Sequence, residues 1–456
     1  MSSPYFATIL RNALPGYEWR AAHSVPVPTT ACAMNIDRYG RADVGMDGSV
    51  GACGYGAGVK QVVKVRMLPT DVESTALAGT LLACNRAASW LSAKMHAERV
   101  HRKHDAQKRF YTELRARFGL SAQPAIRVIG KVADAYTTLR ANIAAGNYGP
   151  PGSRQRERLR ATPVIFRTDA AQPFDARCLS WRIPNIIGGR EATVSIWTVH
   201  GRLRRVRVMA APRDLASLRT RVIGETDLVC RDGKWFLYAT IEVPEAPVTD
   251  PVNGFVGVDL GIVNIATTSD GDRTAGARLN RYRKRQARFR KRLQAKRTRS
   301  ARRLLCKRGR KETRFAADVN HQISKRIVAE AERTGRGIAV EQLGGIRDRV
   351  RLLKPQRAML HTWAFAQFGR FLTYKARVAG VALVQVDPAH TSQTCSRCGH
   401  VDKRNRNRRS QSKFECGQCG FVGHADHNAA VNIAVRGVER WGEVMRPHAA
   451  PTLTAS

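Results

Sequence analysis

Long apolar runs are missing from this chain of 456 residues. None reaches the length of about 18 residues that a membrane-spanning helix needs. Its basic residues are not set against an amphipathic apolar face, so a membrane surface is not the expected partner either. The first residues, "MSSPYFATILRNALPGYEW", lack a basic stretch followed by an apolar one, so secretion is not expected. Acid is scarce: 36 Asp+Glu stand against 78 Lys+Arg, a formal net charge of +42. Such an imbalance repels itself in a free globular protein and asks for a polyanion, with nucleic acid as the default. No cysteine framework is visible. Of ten cysteines, six (Cys32, Cys53, Cys84, Cys178, Cys230, Cys306) are scattered singly, which fits reduced thiols in a cytosol. No internal repeat stands out.

What is present divides along the chain. Residues 1–58 carry four Arg, no Lys and four acids, and they end in the Gly-rich "GMDGSVGACGYGAG". They read as a poorly ordered extension, or as translation from too early a start codon. "KQVVKVRMLP" alternates like a strand. The stretch from Thr70 to Gly119 has helical apolar spacing, with Asp71 as candidate cap and Gly119 as stop. Helical pattern continues to about residue 146, where "AGNYGPPGS" marks a linker. From 162 the pattern turns to strands, beginning with "TPVIFRT". Later come two hairpins with His-Gly and Asp-Gly at their turns. A strand, a helical insert and a run of antiparallel strands predict a β-barrel-like domain (59–71 and 160–250) interrupted by a helical one (72–159). Trp90, Phe110 and Tyr111 lie in helical pattern and read as core.

"EVPEAPVTDPVNG" marks a boundary near residue 250, beyond which the texture is α/β. "GFVGVDLGIVNIATTSDG" reads as two strands around a tight turn, "RGIAVEQL" and "VALVQVDP" as buried strands. "AADVNHQISKRIVAEAERTG" and "HTWAFAQFGRFLTYKARVAG" read as helices. Between them, Arg278 to Lys311 holds 18 Lys/Arg and no acid. A long basic helix or helical hairpin touching phosphates is expected there, through Arg283, Lys284, Arg285, Arg288, Arg290, Lys291 and Arg292.

Cys395-x2-Cys398 and Cys416-x2-Cys419 supply four thiolates in tetrahedral reach of one structural Zn2+, the pattern of a zinc ribbon. A glycine follows each pair (Gly399, Gly420) and lets the backbone turn under the sulfurs. Four soft ligands complete the shell, so His390, His400, His424 and His427 are not needed as ligands. Six Lys/Arg lie between the knuckles, and Arg404, Arg406 and Arg408 are candidate phosphate contacts. A carboxylate is a harder ligand than this site calls for, so Asp426, which opens "DHNAAVNI", has no obvious place in it. Asp259 in "GFVGVDLG" and Glu341 in "RGIAVEQL" each follow buried-strand residues. An acid there is costly unless paired or bound to a cation. Such acids also cap turns or pair with Arg, and spacing alone does not show that the three converge.

The ordered set "GVDLGIVN", "IAVEQLGGIR", "DPAHTSQTCSRCG" and "ADHNAAVNIA" resembles the catalytic half of TnpB, the transposon-encoded RNA-guided nuclease family. It also resembles the compact type V CRISPR effectors descended from that family. The likeness covers roughly residues 250–437; the N-terminal half agrees only in layout, as wedge and recognition domains. It implies a multidomain α/β protein whose RuvC-like domain, of the RNase H type, spans 251–390. A zinc ribbon would follow at 391–422, the last RuvC-like element at 423–438 and a tail at 439–456. It also implies that Asp259, Glu341 and Asp426 hold two Mg2+ or Mn2+ ions and cut DNA. Further expectations are a guide RNA, a double-stranded DNA target read beside a short flanking motif, and a monomer or homodimer in the bacterial cytoplasm, near the nucleoid. Members often have an acid where this chain has His424, and an aromatic where it has His390. Rival readings are a guided binder without cleavage, an unguided RuvC-type nuclease and a ribosome-associated zinc-ribbon protein.

Overall fold

The computed structural model describes residues 58–184, 191–221, 223–261, 263–342, 365–406 and 412–445. The expected N-terminal extension (apart from Gly58), Arg408 and the last eleven residues of the expected tail lie outside the described residues.

β1 (Val59–Leu68) alternates as its sequence dictates, with Val63, Val65 and Met67 buried and Lys60, Lys64 and Arg66 exposed. α1 (Asp71–Ala97) begins one residue earlier than an Asp71 cap allows. The cap is Thr70, whose hydroxyl accepts from the Glu73 amide at 3.3 Å while the Glu73 carboxylate accepts from the Thr70 amide at 2.8 Å. This reciprocal pair satisfies two free amide donors and leaves Asp71 inside the first turn. α2 (Lys103–Phe118) stops at Gly119, which is left-handed at φ 61°. α3 (Ala122–Ala144) and the short α4 (Arg154–Ala161) follow. Leu91, Met95, Phe110, Leu114, Val128 and Ile129 form the helical core, with Trp90 and Tyr111 half-buried against it.

"TPVIFRT" is not a strand. It is an extended edge of the helical unit, where Val164 and Phe166 pack on that core and the Phe166 amide donates to Ser89 Oγ at 3.1 Å. The remaining strands are β2 (Gln172–Phe174), β3 (Leu179–Arg182), β4 (Thr193–Thr198), β5 (Gly201–Met209), β6 (Ile223–Arg231) and β7 (Lys234–Val243). α5 (Pro212–Thr220) links β5 to β6. All seven strands form one antiparallel sheet in the order β2-β6-β7-β1-β5-β4-β3. β1 sits between β7 and β5, so the helices that follow it in sequence are an insertion into this sheet.

The second sheet is mixed. Its strands are β8 (Phe255–Asp259), β9 (Asn264–Thr268), β10 (Arg273–Ala275), β11 (Gly337–Glu341) and β12 (Leu383–Val386), in the order β10-β9-β8-β11-β12. β9 runs antiparallel to both neighbours, whereas β8, β11 and β12 are parallel. The basic run is a hairpin of α6 (Ala277–Ala295) and α7 (Arg299–Arg333). The helix expected from residue 316 is the second half of α7, because neither proline nor a turn signal interrupts it. α7 and α8 (Phe365–Ala379) cover one face of the sheet through Ile323, Ile327, Phe368 and Leu372, packed on Val256, Val258, Ile338 and Val340. α9 (Ala425–Met445) covers the other through Ile433, packed with Phe255 and Ala339. A small hairpin, β13 (Lys413–Glu415) and β14 (Val422–His424), precedes α9. Among the described residues no helix is long and apolar enough to cross a membrane.

Candidate metal centres

Strand alternation aims the acids. In β8, Val256 and Val258 face α7 and α8, so Phe255, Gly257 and Asp259 face α9. In β11 the same rule sends Ala339 and Glu341 to the α9 side. The two strands are parallel neighbours with Val340 opposite Val258, which puts Asp259 and Glu341 side by side at their carboxyl ends. Clefts outside the carboxyl ends of parallel strands are where open α/β sheets bind ligands. Asp426 joins them from the first turn of α9.

Two glycines permit the close approach of that helix. A Cβ on Gly257 would fall 2.0 Å from the Ala430 carbonyl oxygen and 2.5 Å from the Ala434 amide nitrogen. One on Gly437 would fall 2.5 Å from Ala339 Cβ. The helix therefore rests directly on the strands at both points, and it cannot carry Asp426 this near them otherwise.

The three carboxylates share a site without a cationic partner in contact. Among the described residues none of them has a Lys or Arg nitrogen within 4.0 Å. Burial, then the Glu341 and Asp426 charges, push Asp259 up to about 8, against the opposing pull of Arg406. Burial also raises Glu341, partly offset by a hydrogen bond from Thr391 and by the charges of Arg436 and Arg406. The Thr391 hydroxyl donates to Glu341 Oε1 at 2.5 Å, and Asn264 Nδ2 donates to Asp426 Oδ2 at 2.8 Å. Carboxylates gathered in a half-buried site fit a hard divalent cation, whose charge offsets both the burial and the mutual repulsion that raise Asp259.

The cysteines form a separate and tighter group. Cys395 Sγ lies 3.7 Å from Cys419 Sγ, and Cys398 Sγ lies 3.6 Å from Cys416 Sγ. All four sulfurs fall within 4.8 Å of one another, and no other group of three or more metal-ligating atoms is this close among the described residues. The three carboxylates are thus spaced more widely than the sulfurs. A tetrahedral Zn–S shell at the usual bond length has S···S edges of about 3.8 Å, so the cysteine donor set fits Zn2+. Both knuckles share one build. The Cys395 amide donates to the His400 carbonyl and Gly399 back to Cys395; Cys416 donates to Phe421 and Gly420 to Cys416. Gly399 and Gly420 take φ values of 76° and 67°. Asn405, buried between the knuckles, donates to the Gln393 and His400 carbonyls and accepts from the Gly417 amide.

α9 ties the two centres together along one face. Asn428 accepts from the Ser396 amide and donates to the Thr394 carbonyl. Asn432 donates to Thr391 and Thr394, and Arg436 to the Asp387 and Ala389 carbonyls. Sequence reading missed Asn405, Asn428, Asn432 and Thr391, because their partners are distant in the chain. The spacing of 428, 432 and 436, one helical face, is the signal that could have found the helical members. No histidine is within the cysteine group. His427 Nε2 donates to the Ser269 carbonyl, and His424 Nδ1 accepts from the Asp426 amide.

The candidate phosphate contacts lie on α6 and on the ribbon. Lys284, Arg285, Arg288, Arg290, Lys291 and Arg292 lie on α6 with their side chains exposed or partly so, and Arg283 is half-buried. Arg290 pairs with Glu312 at 2.9 Å, and Arg308 lies over the Phe289 ring at 3.8 Å, which holds the hairpin closed. Arg404 is exposed, whereas Arg406 is half-buried and close enough to act on both Asp259 and Glu341.

A mixed sheet carrying two of the three acids, with a four-cysteine ribbon pinned to the helix that supplies the third, defines the C-terminal half. Residues 238–344, which hold Asp259 and Glu341, match a family described as probable transposase, OrfB of the IS605 type. Residues 365–433, which hold the cysteines and Asp426, match the Cas12f1-like TNB domain. The chain is 37% identical over 127 residues to the CRISPR-associated endodeoxyribonuclease Cas12f1 of Sulfoacidibacillus thermotolerans, covering 28% of each chain. It is 38% identical over 112 residues to that of Syntrophomonas palmitatica, covering 24% of this chain and 21% of the relative. It is 30% identical over 229 residues to the putative RNA-guided DNA endonuclease InsQ of Escherichia coli, covering 45% of this chain and 54% of the relative. The matched stretches thus span from about a fifth to about half of these relatives, and the two family matches cover residues 238–344 and 365–433 of this chain.

Proposed function

We propose that this chain is an RNA-guided DNA endonuclease that cuts its target in a RuvC-like site. The observation that carries the reading is the meeting of Asp259, Glu341 and Asp426, from two parallel strand ends and a helix start, in one cleft. The sheet order β10-β9-β8-β11-β12 with β9 antiparallel supports an RNase H type of domain. In this reading the three carboxylates hold two Mg2+ or Mn2+ ions. When bound, the ions activate the attacking water and steady the leaving oxygen of a phosphodiester, leaving 5′-phosphate and 3′-hydroxyl ends.

The residues of the chain set the stage for that chemistry. Arg406, reaching toward Asp259 and Glu341 from the ribbon, supplies a counter-charge for the phosphate between them. The exposed cations of α6 give the strand an electrostatic track. Four cysteine thiolates hold one structural Zn2+, which fixes the ribbon against α9. The basic sheet and helical surfaces of the N-terminal half hold a guide RNA, which reads the target by base pairing. The protein reads a short flanking duplex motif. The chain acts as a monomer or homodimer in the bacterial cytoplasm, at the nucleoid.

The test begins with expression of the chain together with its native flanking DNA. The copurifying RNA is sequenced, and a plasmid complementary to its variable end is offered. One discrete RNA, with linearisation by the wild type and none by Asp259→Asn, is expected. Retained cutting by Asp259→Asn overturns the site.

A further inference from the structure

Thr391 and Asn264 do not belong to the carboxylate trio, yet each has its side chain spent on one member of it. Thr391 Oγ1 lies 2.5 Å from Glu341 Oε1, and Asn264 Nδ2 lies 2.8 Å from Asp426 Oδ2. The backbone that carries each donor is held in place. The Thr391 hydroxyl also meets the Pro388 carbonyl at 3.1 Å, its residue is buried, and its own carbonyl is held by Asn432 at 2.9 Å. Asn264 opens β9, where the Gly276 amide donates to the neighbouring Val263 carbonyl at 2.7 Å. A Cβ on Gly261 would come within 2.8 Å of the Asn264 carbonyl oxygen, so the turn into this strand is also tight.

We infer that Thr391 and Asn264 are positioning residues for a divalent-cation site. Each donates to one oxygen of a carboxylate, fixes its rotamer, and leaves the other oxygen to face the cleft. This rests on the reading of Asp259, Glu341 and Asp426 as cation ligands. A hydroxyl or amide donor turns a mobile carboxylate into an aimed one, and losing such outer partners weakens metal binding by about 10–100-fold. The geometry adds a linkage between the two acids. Helix α9 carries Asp426 at its start. Through Asn432 and Arg436 it also grips the 387–394 segment that aims Thr391 at Glu341. One helix therefore sets the placement of both carboxylates, one directly and one through Thr391.

The test is calorimetric titration of Mn2+ into the zinc-loaded full chain, comparing wild type with Thr391→Val, Thr391→Ser, Asn264→Ala and Glu341→Gln. Thr391→Val and Asn264→Ala are each expected to weaken Mn2+ binding by about tenfold or more. Thr391→Ser keeps the hydroxyl and restores wild-type affinity. In cleavage assays the same two variants raise the Mg2+ concentration for half-maximal rate more than they lower the rate at saturating Mg2+. Wild-type Mn2+ affinity in both variants, whatever their melting temperatures, overturns the inference. If wild type itself binds no Mn2+, or Glu341→Gln binds as wild type does, the cation-site reading has failed, and the inference falls with it.

Discussion

Gly257→Ala probes the placement of α9 with the smallest possible change. The added methyl would sit 2.0 Å from the Ala430 carbonyl oxygen and 2.5 Å from the Ala434 amide nitrogen, both backbone atoms in the middle of a helix. Backbone cannot turn aside as a side chain can, so β8 and α9 must separate by roughly 1 Å before the approach becomes tolerable. Asp259 lies two residues along the strand from the new methyl and Asp426 four residues along the helix from Ala430, so the gap between them widens. A misplacement of about 1 Å in a reacting constellation costs on the order of 10^2-fold in rate. The overpacking also costs about 1–3 kcal/mol of stability. Gly442→Ala, on the same helix, is the control, because its Cβ would meet nothing within 4 Å. Removing that helical glycine stabilises by about 1 kcal/mol and leaves cutting unchanged. The assay is single-turnover plasmid cleavage, with zinc content and circular dichroism checked for each variant. Wild-type cutting by a folded Gly257→Ala protein refutes the idea that the close helix–strand approach positions Asp426.

Other consequences follow from the same geometry. Asp259→Asn should stabilise the Mg2+-free protein at pH 7. The carboxyl's folded pKa is pushed up to about 8 from 3.8, so the native state holds a proton that the unfolded state has lost. Wild-type stability therefore falls as pH rises between those values, and thermal melts should show the Asn variant's advantage at pH 7 shrinking toward pH 5. An advantage independent of pH contradicts a carboxyl raised by burial and by its two acidic neighbours. Stripping zinc should unfold the ribbon and, through Asn428 and Asn432, loosen Asp426 and Thr391. Cleavage then disappears and returns on adding Zn2+; full activity in zinc-free protein counts against the linkage. Replacing Arg285, Arg288 and Arg292 of α6 with Gln should reduce the slope of log affinity against log salt by about one for each phosphate no longer neutralised, measured by filter binding. An unchanged slope removes α6 from the nucleic-acid interface.

Much of the site is visible in the residues. Alternation in "GFVGVDLG" and "RGIAVEQL" marks Asp259 and Glu341 as acids at the ends of buried strands, and two CxxC pairs with trailing glycines specify the ribbon. The meeting of Asp426 with the other two is not visible there. It depends on Gly257 and Gly437, which in sequence look like ordinary strand and helix glycines. Only in the packed fold does a helix press directly on the strands at those two points. Asn405, Asn428, Asn432 and Thr391 escape for a related reason, because a polar side chain bonded to a distant group has no sequence pattern of its own. "TPVIFRT" has strand composition, but its apolar side chains are claimed by the helical core, and among the described residues no strand partners it. The basic hairpin and the helix from residue 316 read as separate elements in sequence; without a proline or turn residue between them, the chain simply continues its helix.

The most direct measurement is a guide exchange. The variable end of the copurifying RNA is replaced with a new sequence, and two plasmids are offered, one matching the old guide and one the new. Guided cleavage predicts that cutting moves to the new plasmid, and that Asp259→Asn abolishes it on both. Cutting that ignores the guide, or persists without RNA, contradicts guided cleavage and leaves the three acids in the service of an unguided nuclease.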